Sequence, residues 1–80
     1  MAALQSFLDN LENLRIVTMV GLEHIQASRD EFVKNSTRAQ ILKAEMLITK
    51  IRVLAEHLER EFNTLEYLIE KAQRSPHNSE

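Results

Sequence analysis

Along the chain, apolar and polar positions alternate with a helical period in two long blocks. From Arg38 to Ala72 the apolar residues Ile41, Ala44, Ile48, Ile51, Ala55, Leu58, Phe62, Leu65, Ile69 and Ala72 recur at alternating spacings of three and four. That is the a/d seam of a coiled coil, the stripe a helix presents to a partner helix. The first half carries the same period through Leu4, Phe7, Leu11, Leu14, Thr18, Gly21, Ile25, Ser28 and Phe32, with small or polar residues in its middle. The pattern predicts an all-α fold with helices over about 3–34 and 37–73 and a hinge near 34–37. The segment 75–80 is expected to be a disordered tail.

Local signals mark the ends. Thr37-Arg-Ala-Gln40 fits a capping box, in which the threonine hydroxyl accepts from a free amide and the glutamine reaches back. Asn35 suits a left-handed C-cap, and Lys34 suits the negative end of the helix dipole. Ser28-Arg-Asp-Glu31 also reads as a capping box, which would break the first helix near Gln26–Ala27. Against a break, Ile25, Phe32 and Val33 keep the helical rhythm.

Folding the chain back at the hinge pairs the two seams. Residues whose numbers sum to 72 or 73 then face each other, from Phe32/Ile41 through Ile25/Ile48, Gly21/Ile51 and Leu14/Leu58 to Leu4/Ile69, without a slip. The expected architecture is therefore an antiparallel two-helix coiled-coil hairpin over 1–74. Arg15 would lie beside Glu59 and Arg29 beside Glu45, pairs that set register more than stability.

The apolar residues left over are the informative ones. In the run "RIVTMVGL", Thr18 and Gly21 occupy the seam, while Ile16, Val17, Met19 and Val20 fall outside it. In the second helix Leu47, Leu54 and Leu68 lie on the g edge beside the seam, with Leu42, Met46, Val53 and Tyr67 further round. In an antiparallel pair the g edges adjoin, bringing Val17 near Leu54. One side of the hairpin would be charged and the other apolar, and the sequence offers no third helical pattern to cover the latter. The expected partner interface is Val17, Val20, Leu47, Leu54, Leu68, Ile16, Met19, Met46 and Val53.

Composition narrows the rest. Eighty residues with one glycine, one proline and no cysteine disfavour a sheet fold, disulfides and thiolate metal sites. A chain so short gains its missing stability from partners or copies. A net charge of −2 provides no basic field for nucleic acid. Arg38, Lys43, Lys50 and Arg52 cluster, but Glu45 and Glu56 share their region and no aromatic is interleaved for base stacking. The N-terminus lacks a cationic leader and no run approaches a membrane span, so the expected compartment is the cytoplasm. His24, His57 and His77 form no metal motif, and no phosphate loop or nucleophile elbow is present. Neither an enzyme nor a cofactor is expected.

The segments Leu22-Glu-His-Ile-Gln-Ala-Ser-Arg-Asp-Glu-Phe32 and Ala39-Gln-Ile-Leu-Lys-Ala-Glu-Met-Leu-Ile48, in a chain of this length and layout, resemble the small helical-hairpin co-chaperones of type III secretion needle subunits (the YscE-type family). The resemblance implies packing against a helical-repeat chaperone, the two together keeping a needle subunit unpolymerised in the bacterial cytoplasm before export. It carries no contact residues. The alternative expectation is a homodimeric four-helix bundle with a structural or regulatory role, nucleic acid being one ligand class for it.

Overall fold

The computed structural model describes residues 2–74. It contains two helices, α1 over Ala2–Asn35 and α2 over Arg38–Arg74, and no strand among the described residues. The chain divides into two units, Met1–Thr37 and Arg38–Glu80, with one helix in each. Both helices lie within two residues of the bounds the periodicity predicts. The expected tail at 75–80 lies outside the described residues.

Helix α1 runs 34 residues without interruption. The break near Gln26–Ala27 does not occur, and the reason is visible at Ser28. Its hydroxyl donates to the His24 carbonyl at 2.8 Å, one turn back, instead of capping a new helix start. Serine inside a helix satisfies itself in this way, so a capping-box spelling does not force a cap. Side-chain pairs one turn apart reinforce the polar face. Gln5 Nε2 donates to Asp9 Oδ1 at 2.9 Å, and Arg15 binds Glu12.

The end of α1 differs from expectation. Asn35 does not adopt a left-handed C-cap; no described residue has a positive φ. It remains helical, and its Nδ2 donates to Glu31 Oε2 at 2.8 Å. The Ser36 amide then donates to the Phe32 carbonyl at 2.9 Å, continuing the helical ladder past the last helical residue. With that carbonyl satisfied, the left-handed reversal has less to contribute. Lys34 does occupy the last turn, as the dipole argument requires.

Helix α2 begins directly after Thr37, where the capping signature places it, and both Thr37 and Gln40 are engaged by partners. It contains neither glycine nor proline over 37 residues and is rich in strong helix formers. Thr49 and Thr64 donate their hydroxyls to the carbonyls of Glu45 and Arg60, both at 3.1 Å. Lys71 and Arg74 sit in the last turn, and Arg74 pairs with Glu70 at 3.3 Å.

Neither helix carries a buried residue. Among the described helical residues, only Leu14, Gly21, Ala44 and Leu65 are partly shielded, and all four sit at the d position of a seam. Long helices owe most of their stability to packing of an apolar face rather than to propensity.

Candidate partner interface

Helix geometry assembles the interface residues into one patch on each helix. On α1, Ile16 and Val20 are four residues apart, and Ile16/Met19 and Val17/Val20 are three apart. Each pair meets on adjoining turns. The four side chains make a continuous apolar surface over little more than one turn. All are exposed, Val17 most of all at 70%. Thr18 and Gly21 take the seam positions between them, so the branched residues are displaced onto the outer faces.

On α2, Met46 and Leu47 are followed seven residues later by Val53 and Leu54, two turns and ~10 Å further along the axis. All four are exposed, Leu54 at 61%. Leu68 is exposed but stands apart: it lies 14 residues beyond Leu54, ~21 Å along the axis, with Glu61 at the intervening g position. The expected site thus resolves into an α1 patch, a larger α2 patch and an outlying leucine.

One feature of α2 escaped the reading by edges. Leu42, Met46, Thr49 and Val53 recur at spacings of four, three and four, a second stripe on the face opposite the seam. Thr49 would interrupt it as a polar residue, but its hydroxyl is satisfied by the Glu45 carbonyl, leaving its methyl to face outward. The signal in the sequence is a threonine four residues after a helical carbonyl, read together with the apolar spacing.

Electrostatics at the α1 patch are local. The hydrogen bond and charge of Arg15 hold the Glu12 carboxyl below the usual carboxylate range, and Glu12 in turn raises the Arg15 guanidinium. Arg15 is thereby engaged within its own helix, an interaction the register argument did not anticipate. Its guanidinium carries five donors, so the pair with Glu12 does not exhaust it. Among the described residues no group of three or more His, Cys, Asp or Glu side chains could hold a metal ion. No described helix is long and apolar enough to cross a membrane. What the surface presents is apolar side chains in helical array, suited to helix-on-helix docking.

No protein-family model matches the chain, and neither the curated proteins nor the solved structures yield a match.

Proposed function

We propose that the chain is a protein-binding helical hairpin that acts as a co-chaperone in the cytoplasm. In this reading α1 and α2 pair antiparallel through their seams in the 72/73 register, and the adjoining g edges dock on a second protein. The observation that carries the proposal is the position of Val17, Leu47 and Leu54, exposed apolar residues that lie on the g edges outside both seams. Apolar patches of this kind mark interaction sites. Full burial of a Val or Leu side chain contributes about 1.5–3 kcal/mol, so these residues would be principal contributors to a larger interface.

Resemblance to the needle-subunit co-chaperones supplies the identity of the partner: a helical-repeat chaperone, with a needle subunit as cargo. The physical logic is consistent. A subunit that polymerises exposes apolar helix faces, and covering them before export keeps it monomeric. A two-helix protein with an apolar side can stabilise the larger chaperone while leaving most of the grip on cargo to it.

The test is reconstitution of the chain with a needle-type subunit and its helical-repeat chaperone, followed by light scattering and circular dichroism. The expected result is a stoichiometric complex that Val17→Glu or Leu54→Glu abolishes while the helicity of the free chain stays nearly unchanged. A chain that unfolds cooperatively as a monomer and joins neither protein would overturn the proposal. Loss of helicity in the free variants would instead place Val17 and Leu54 inside the hairpin.

A further inference from the structure

The second stripe of α2 is distinct from the g edge and lies on the face opposite the seam. It consists of Leu42, Met46, Thr49 and Val53, covers ~17 Å of helix, and stops at Glu56, Arg60 and Asn63, which occupy the next positions of the same stripe. Leu42, Met46 and Val53 are exposed, and the Thr49 hydroxyl is already bonded, so covering the stripe strands no side-chain polar group. The co-chaperone reading docks through the g edges, with Met46 and Val53 at the border between edge and stripe, and it leaves Leu42 and Thr49 unused.

The charges flanking the stripe identify what covers it. On one flank Lys43, Lys50, His57 and Lys71 fall on a seven-residue repeat; on the other stand Glu45, Arg52, Glu59 and Glu66. Over the stripe itself the flanks carry Lys43 and Lys50 on one side and Glu45 and Arg52 on the other, and Glu45 stands five residues before Lys50, the spacing by which identical helices pair in parallel. Each flank then meets the opposite flank of its neighbour. We propose that a second copy of this chain docks on this stripe, α2 against α2 in parallel.

In that arrangement Glu45 faces Lys50 of the second copy, a pair that occurs twice by symmetry. Arg52 faces His57 at the end of the contact. The antiparallel alternative brings like flanks together. It gains Glu45 against Arg52 but sets Lys43 against Lys50, so its charges offset rather than add. Contact is confined to the first half of α2, because in parallel register Glu56 and Arg60 each meet their own copies and drive the helices apart.

Orientation can be read directly, since the chain has no cysteine of its own. Leu42→Cys and Val53→Cys chains are prepared separately, oxidised mildly alone and as a mixture, and distinguished by a mass tag on one of them. A parallel dimer puts each residue beside its own copy, within reach of a disulfide, so each variant cross-links alone and the mixture yields little cross-species product. Cross-linking only between the two variants overturns the parallel arrangement. Sedimentation equilibrium of the unmodified chain should give a dimer, weakened about tenfold or more by Val53→Glu. Glu45→Lys should weaken it as well, and Glu45→Lys with Lys50→Glu should restore it.

A monomer at every concentration refutes the proposal outright. A dimer lost with Val17→Glu but indifferent to Val53→Glu moves the second copy to the g edge and refutes it too. That second outcome would also displace the proposed chaperone partner, whereas the first leaves it standing. The cross-linking pattern is measured on near-native chains, so a variant that fails to fold does not decide the matter.

Discussion

Gly21 offers the sharpest way to ask whether the α1 seam is packed. It sits at a seam position in the middle of a 34-residue helix, with ordinary negative φ, and a Cβ built on it would meet nothing within 4 Å. Within α1, Gly21→Ala therefore adds no clash and removes the entropic cost of glycine in a helix, a gain of about 1 kcal/mol. For a chain of this size that corresponds to a rise in Tm of about 4–8 °C. Gly21→Leu makes nearly the same helical gain, since leucine is almost as good a helix former as alanine. The two variants differ in what they meet across the seam. Under the proposed 72/73 register position 21 faces Ile51, and a leucine overpacking that layer would cost about 1–3 kcal/mol. Alanine should thus stabilise, and leucine should give back all of that gain or more. Urea and thermal unfolding, followed by circular dichroism with the slope checked for constancy, measure both. Equal stabilisation by alanine and leucine would refute the antiparallel register at its middle layer.

Two further outcomes follow from the geometry of α1. Ala27→Pro should cost about 3 kcal/mol or more and collapse helicity, because α1 is continuous there; a tolerated proline would mean that the break suggested by the sequence exists in solution. Glu12 has its pKa lowered by Arg15, so the pair's contribution is present above the unfolded carboxylate pKa and is lost as pH falls through the lower folded value. Wild type and Glu12→Gln should therefore differ slightly in helicity at neutral pH and converge in acid, down to about pH 2. A difference that persists or grows in acid would contradict the assignment. The raised Arg15 value has no counterpart in this range, since arginine stays charged throughout it.

How much of this was legible beforehand depended on the distance over which each signal acts. Helix existence and bounds rest on neighbours within a turn or two, and the seam spacing carried them. Two local misreadings arose where one spelling serves two conformations. Ser28 followed by Glu31 suits a helix start, but the same serine in mid-helix bonds the His24 carbonyl. Asn35 suits a left-handed cap, but the Glu31 carboxylate one turn back keeps it helical. Sequence offers no way to rank such alternatives without the rest of the turn. The interface residues were recognisable as surplus, because a helix has one seam and these apolar residues lie off it. Their grouping was not, since a list of edge positions hides both the gap between Leu54 and Leu68 and the continuity that Thr49 gives to the second stripe.

The distribution of that surplus along α2 constrains any assembly built on it. Between Ile41 and Leu54 the helix is apolar on its seam, on its g edge and on the opposite stripe. From Glu56 to Asn63 the outer faces become Glu56, Glu59, Glu61, Arg60 and Asn63. Lys43, Glu45, Lys50 and Arg52 set the stripe apart from the seam and the g edge, whereas the outer face that follows is charged and built for water. The first half of α2 therefore presents three apolar surfaces, with room for three neighbours. Under the proposals made above these are α1 on the seam, a second copy on the stripe and a different protein on the g edge. A parallel dimer through the stripe leaves one g edge free on each copy, so a second copy and a foreign partner need not compete. The complex reconstituted with a chaperone should then contain two copies of each chain, and Val53→Glu should halve its mass while Leu54→Glu strips the partner from an intact dimer. Mass measured by light scattering on the two variant mixtures separates these outcomes, and a partner displaced by Val53→Glu would show that stripe and edge form one site.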